Sequence, residues 1–185
     1  DYWRSIDKKI LFCFFILFFL GIFFSFSSTS SLAGERLNKD FYFFFTKHLI
    51  FTLLALFIMI LISVIKTELL IKLVVPFFIL SFILLALVPI IGIEVKGAKR
   101  WLDFYFFRLQ PIEILKPLFI LTTVKILTLE KFKNSQIKYV LSFTLLSSII
   151  ILLIDQPDLG QTILLIGSWT ATVFVYGVSL VYILI

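Results

Sequence analysis

An all-α integral membrane protein, a polytopic helix bundle with about six transmembrane helices, is the fold class this sequence predicts. Three observations predict it. The chain is 61% hydrophobic and only 15% charged, with 24 Phe and a mean hydropathy of +1.14. A soluble domain of this size cannot cover so much apolar surface. The apolar residues also fall in continuous runs, much longer than the roughly ten-residue alternating strands of an outer-membrane barrel. Finally, the basic residues cluster between the runs, so the net charge of +6 points to anionic lipid or a topology signal rather than nucleic acid.

Taken in order, the charge-free runs give the spans, each compared with the ~20 residues that cross a hydrocarbon core of about 30 Å. The chain begins at Asp1 rather than Met, so further N-terminal sequence is expected before it. Ile10 to Gly34 is the first run. It is too long and too rich in Phe for a signal-peptide core and carries no small-residue cleavage site, so it reads as a retained span. Its Ser-rich end, SFSSTSS, leaves the hydrocarbon or faces other helices. The single cysteine, Cys13, lies inside this run and has no internal disulfide partner.

His48 to Ile65 is the second span, introduced by an aromatic cluster, FYFFF, suited to the interface. Leu73 to Ile93 is the third. The fourth, Ile112 to Leu129, carries Glu113, Lys116 and Lys125; the last of these is close enough to the span's end to snorkel to the surface. Tyr139 to Ile154 is the fifth and Leu159 to Ile185 the sixth. No internal repeat is visible, and residues 1–185 read as the N-terminal part of a single membrane domain.

Lys and Arg placement sets the orientation. With a cytoplasmic N-terminus, Arg4, Lys8, Lys9, Lys66, Lys72, Lys125, Lys131, Lys133 and Lys138 lie inside, while Arg36, Lys39 and Lys47 lie outside. With the five basic residues of Glu94 to Pro117 set aside, nine against three is a positive-inside pattern; with them counted outside, nine against eight decides nothing. The five basic residues of Glu94 to Pro117 fall on the outer side and break it, which suggests a functional demand for positive charge there.

That stretch, EVKGAKRWLDFYFFRLQPIEILKP, is the place where chemistry is expected. Gly97 permits a tight turn before Lys99, Arg100 and Trp101. Two cations and an indole beside a span suit either capture of a phosphorylated lipid head group or an ordinary aromatic-basic interface. Pro111 suits a first helical turn, and Glu113 and Lys116 are three apart on one helix face. Pro117 cannot donate to the carbonyl of residue 113. Ionisable groups inside a membrane cost about 2.5–3.5 kcal/mol each on insertion scales, so these face a partner or a wet cavity. Arg108 is positioned to complete an Arg–Glu–Lys cluster, and a structural salt bridge pinning loop to helix fits equally.

Between the last two spans, QPDLGQT places Pro157 at a helix start and Asp158 in its first turn, as a cap or as a carboxylate facing substrate. Lys47 and His48 open the second span and are candidates to line the same outer cavity. His48 is the only histidine and lacks a second ligand motif. No nucleophile elbow, phosphate loop or metal-ligand spacing appears.

GAKRW, RLQPIEILKP and QPDLGQT, in this order and on matching spans, resemble the SEDS family (shape, elongation, division and sporulation), integral-membrane peptidoglycan glycosyltransferases. VPIIGIEVKGAKRW, QPDLGQT and Asp7 in RSIDKKIL look more like the cell-division branch than the elongation branch. The resemblance covers essentially the whole chain, yet the chain covers only the N-terminal half of the family's ten-span pattern.

The resemblance implies a bacterial cytoplasmic-membrane enzyme that polymerises lipid II, the undecaprenyl-pyrophosphate-linked disaccharide-peptide. It also implies a class B penicillin-binding transpeptidase and division proteins as partners. It places the catalytic acid C-terminal to Ile185, so no catalytic residue is expected here. No cofactor is assigned, and a divalent cation is left open with no ligands named. Arg108, Glu113 and Lys116 match the family's cavity charges, Asp158 the acid of its QPD motif, and Lys99, Arg100 and Trp101 its basic-aromatic loop. Lys47 stands where the family often has Arg, and His48 where Gln usually follows. Ile112 replaces the usual Ser or Ala, and DFYFF lacks the Leu-Gly turn that usually follows the Trp. The rival function is a transporter of lipid-linked precursor.

Overall fold

The computed structural model describes residues 7–28, 42–95, 97–105, 107–130 and 134–178. These fall into two compact units, Asp1–Thr67 and Glu68–Ile185.

The first unit is a helical pair, α1 (Lys8–Ser28) and α2 (Phe43–Val64). Asp7 starts α1 as a short carboxylate should, its Oδ1 accepting from the backbone N–H of Lys9 at 2.9 Å and of Ile10 at 3.2 Å. Two of the four unpaired donors of the first turn are thereby satisfied. The helices run antiparallel, because Gly21 lies against His48 while Phe26, further along α1, meets Phe45 and Tyr42. A Cβ at Gly21 would lie 3.7 Å from His48 Nε2, an ordinary contact distance, so the two helices meet closely here without requiring the glycine. Only Thr52 of α2 is buried, and the outward Phe, Leu and Ile residues present a surface that suits lipid. The last residues expected in the first span, 29–34, lie outside the described residues.

The second unit begins with α3 (Thr67–Ile91), which starts six residues before the expected Leu73. Charged residues at a membrane edge belong to the helix that emerges there. Glu68 in the first turn suits the positive end of the helix dipole. A three-stranded antiparallel sheet follows: β1 (Ile93–Val95), β2 (Ala98–Asp103) and β3 (Arg108–Leu109). Sequence reading had placed only loop here. Val95 pairs with Ala98 and Glu94 with Lys99, and Gly97, just before β2, takes φ +79°.

The remaining helices are α4 (Pro111–Leu127), α5 (Ser135–Asp155) and α6 (Leu159–Tyr176). Pro111 occupies the first turn of α4 as expected. Asn134 caps α5, its side chain accepting from Gln136 N at 2.9 Å. The sixth span was expected to reach Ile185; its described helix ends at Tyr176, and residues 179–185 lie outside the described residues. Gly177 adopts φ +116° and turns its N–H back to Phe174 O, an ending that glycine permits without strain. Pro157 also differs from expectation: it precedes the cap residue Asp158 and does not itself enter the helix.

α1, α2, α3, α5 and α6 are each long and apolar enough to cross a membrane, and α4 at 17 residues is the short, charged sixth helix. The bundle core is a set of helical stripes: Phe78 and Leu85 of α3, Ile112, Leu115 and Phe119 of α4, Leu146, Ile149 and Leu153 of α5, and Leu165 of α6. Polar contacts tie helices where apolar packing alone gains nothing over lipid. Trp169 Nε1 donates to Ser142 Oγ at 3.2 Å, joining α6 to α5. Lys125, expected to reach the surface, donates to the Ile71 carbonyl at 3.3 Å and joins α4 to α3.

Candidate functional site

The chain connectivity brings one end of α3, α4, α5 and α6 together beside the sheet, and the charged motifs meet there. The arrangement begins with a backbone defect. Pro89 has no N–H, so the Leu85 carbonyl loses its helical donor four residues on. Gln156, the C-cap of α5, supplies the replacement: its Nε2 donates to Leu85 O at 3.2 Å while the residue is only 2% exposed. This fixes the α5–α6 connection against α3.

Arg100 then fastens the sheet to that connection. From β2 its Nε donates to Gln156 O at 3.2 Å and its Nη2 to Pro157 O at 2.6 Å, with Nε also 3.8 Å from Asp158 Oδ2. A guanidinium suits this position, because the carbonyls after α5 carry the negative end of the helix dipole and need donors. Asp158 does two things. Oδ1 accepts from Gln161 N at 3.4 Å as the N-cap of α6, and Oδ2 faces Arg100 and accepts from Gln110 Nε2 at 3.4 Å. It is 8% exposed, so its charge is held by these partners rather than by water.

Gln161 carries the network onward. Its Nε2 donates to Glu113 Oε1 at 2.7 Å, and Lys116 Nζ lies 2.8 Å from Glu113 Oε2. Glu113 is therefore held on both oxygens, by α6 and by its own helix. Gln161 Oε1 is buried without a hydrogen-bond partner, an acceptor left available inside the bundle. Lys99 stays exposed on β2, its Nζ donating to Pro89 O at 3.3 Å. Beside it lies a small cavity of about 270 Å³, lined by Pro89, Glu94, Gly97, Ala98, Lys99, Asp155, Gln156 and Pro157. Small-molecule sites usually occupy roughly 300–1,000 Å³, so this one is at the small end of that range.

Glu113, Lys116, Asp158 and Arg100 are thus brought into one network, while Arg108 is not. It faces Asp103, its cross-strand partner, with Nε 3.5 Å from Oδ2, and both side chains are well exposed. The two-residue strand β3 holds Arg108 on the sheet, so the expected Arg–Glu–Lys cluster is replaced by Glu113–Lys116 joined to Gln161. Trp101 is half-buried on β2 opposite Ile93. Arg100 is turned inward, away from the interfacial position that the basic-aromatic motif suggested. Lys47 lies in the first unit, lining a groove with Tyr42, Phe43, Thr46 and Ile50.

The residues missed were the three glutamines. Gln110, Gln156 and Gln161 all lie in the quoted motifs, and Gln161 is three residues beyond its cap Asp158, the position whose N–H a cap receives. Among the described residues no group of three or more His, Cys, Asp or Glu gathers.

Fold and site together define a multi-pass membrane protein whose charged motif residues converge at one end of a helix bundle. The chain belongs to the FtsW–RodA–SpoVE family, described as cell cycle protein, whose profile matches residues 7–185. It is 32% identical over 185 residues to the probable peptidoglycan glycosyltransferase FtsW of Caulobacter vibrioides, covering 99% of this chain and 47% of that protein. The probable peptidoglycan glycosyltransferase FtsW of Wigglesworthia glossinidia brevipalpis is 32% identical over 184 residues, covering 94% and 48%.

Among solved structures, the rod shape determining protein RodA of Thermus thermophilus superposes with a TM-score of 0.79 at 25% identity, over 97% of this chain and 56% of that one. A chain from a structure described as "Structural coordination of polymerization and crosslinking by a peptidoglycan synthase complex" gives 0.74 at 26% identity, over 94% and 48%. The chain spans about half the length of the curated relatives it matches.

Proposed function

We propose that the protein is a peptidoglycan glycosyltransferase that polymerises lipid II at the outer face of the bacterial cytoplasmic membrane, and that it serves cell division rather than elongation. The observation that carries this reading is the single network joining Arg100, Gln110, Asp158, Gln161, Glu113 and Lys116 on the family's motif residues. In the reaction a sugar hydroxyl attacks the anomeric carbon of a second lipid-linked sugar, and the undecaprenyl pyrophosphate leaves. The proton goes to an acid that the family places C-terminal to Ile185. The residues here position and neutralise. Lys99 is exposed and, among the described residues, has no carboxylate partner, so it is free to meet the diphosphate. Lys116 adds positive charge while Glu113 fixes its place, and Arg100 and Gln156 hold the frame. Division is favoured by VPIIGIEVKGAKRW and by two FtsW relatives at 32% identity. A class B penicillin-binding transpeptidase is the partner proposed, in keeping with the synthase complex among the similar structures.

Reconstitution of the full-length protein with its transpeptidase and labelled lipid II tests this reading. Polymer is expected; exchange of lipid II between leaflets without polymer would establish the transporter instead. Residues 1–185 alone are expected to form no glycan in the same assay.

The proposed orientation places the N-terminus in the cytoplasm and the network outside, following the positive-inside count. A cysteine at Lys133, in a full-length background with every native cysteine, Cys13 among them, replaced by Ser, is expected to react only from the cytoplasmic side. Reaction from the outer side would invert the topology.

A further inference from the structure

The network occupies one end of the bundle, and the opposite end carries a lysine with no part in it. Lys138 stands near the start of α5 and is only 9% exposed. Its Nζ lies 3.4 Å from the Tyr176 hydroxyl and 5.9 Å from the ring centre, so it meets the hydroxyl rather than the face of the ring. An ammonium group has three donors to place. Among the described residues Lys138 has no carboxylate partner. Val173 O and Phe174 O, at the end of α6, already receive the N–H groups of Val178 and Gly177. The start of a helix is also the positive end of its dipole, where a cation is disfavoured and an anion is favoured. A buried ammonium so placed calls for an anion.

Tyr176 connects this lysine to a groove. Its ring, met edge-on by Tyr139 at 6.1 Å, lines a space of about 410 Å³ between Val124 of α4 and Ala171 and Val175 of α6. The two threonines of the wall spend their hydroxyls on backbone: Thr128 Oγ1 donates to Val124 O at 2.9 Å and Thr172 Oγ1 to Ser168 O at 2.7 Å. The wall is therefore apolar as far as the Tyr176 hydroxyl. Lipid depth fits as well. α4 has 17 residues and α6 runs for 18 before the left-handed turn at Gly177, against about 20 for a full crossing. Glu113 and Gln161, bonded to each other, put the starts of the two helices level, so both finish early at this end. A bilayer accommodates short helices by thinning, which brings head groups inward.

We propose that Lys138, Tyr176 and this groove bind one anionic phospholipid of the leaflet opposite the network, its phosphate on the ammonium and hydroxyl and one acyl chain in the groove. Charge complementarity selects this occupant: the lysine asks for an anion, and the adjoining wall offers nothing but apolar surface to whatever carries it.

The test uses the full-length protein in vesicles of phosphatidylethanolamine and phosphatidylglycerol, with a trace of phosphatidylglycerol carrying a diazirine on one acyl chain. After irradiation, adducts are expected on residues 124–128 and 171–176. The matching phosphatidylethanolamine probe should give about fivefold fewer, the worth of one lysine at an anionic surface. Lys138→Gln is expected to lower labelling by phosphatidylglycerol to a similar extent, and Lys138→Arg to retain it. Tyr176→Phe keeps the ring, deletes the hydroxyl and should lower labelling without moving the thermal unfolding; it decides the matter if Lys138→Gln fails to fold. Equal labelling by the two probes, or labelling unchanged in these variants, would leave an unselective apolar surface and overturn the site. Absence of adducts from both segments would show the groove covered by the rest of the chain or by a second copy, and would overturn it equally. Loss in Lys138→Arg as well as Lys138→Gln would show that charge is not what is recognised, with the same consequence.

Discussion

Glu113→Gln in the full-length protein is expected to lower lipid II polymerisation on the order of 10²-fold or more, the scale seen when one preorganised electrostatic group is removed from an active site. The variant should remain folded. Glu113 is about half exposed at its side chain, and an ion pair of that exposure is worth well under about 1 kcal/mol to stability. The functional loss has a different origin. Glu113 Oε2 holds Lys116 at 2.8 Å and Oε1 receives the Gln161 amide at 2.7 Å, so the neutral amide removes the charge that fixes the lysine. It also replaces one carboxylate acceptor with a donor. Unaltered thermal unfolding with lost turnover is the expected pair of results; normal turnover would remove Glu113 from the proposed site.

The largest expected effect on stability lies at Gln156. Gln156→Leu keeps most of the volume but deletes the amide that serves the Leu85 carbonyl. Leaving a buried acceptor unmet costs about 1–3 kcal/mol, and the site has little access to water, Gln156 being 2% exposed. The cause can be checked by restoring the missing donor within the helix. Pro89→Ala returns an N–H to the Leu85 carbonyl, so in the Gln156→Leu background it should recover much of the loss. In the parent protein the same change should recover little. Thermal unfolding of the four proteins in one detergent gives the coupling directly. Equal effects of Pro89→Ala in both backgrounds would show that the two residues do not share this carbonyl.

The bundle was legible because membrane spans declare themselves by length and composition. α2, α4 and α5 begin within about five residues of the expected starts, as boundary effects at helix ends allow. What was not legible was which face of each helix turns inward. Lipid is as apolar as a protein core, so α3 is apolar nearly all round, and Leu85 looked no different from Ile90. The charged residues were the readable part of the site. Glu113 with Lys116 followed from helical spacing, and Asp158 as a cap followed from its position before an apolar run.

The joining residues were harder to find. Gln156 has meaning only once Pro89, far away in sequence, is known to leave a carbonyl free beside it, and Arg108 was misplaced because the sheet was not foreseen. Three short strands separated by charged and aromatic residues gave too few alternations to distinguish them from loop. The Asp103–Arg108 pair depends wholly on that register.

The central claim is that Glu113 and Asp158 belong to one working unit, joined through the backbone and side chain of Gln161. The most direct test is the rate of lipid II polymerisation by full-length protein carrying Glu113→Gln, Asp158→Asn, or both. If the network acts as a unit, each single variant is slow and the double variant is about as slow as the slower single one. Losses that multiply in the double variant, or a wild-type rate in either single one, would contradict it.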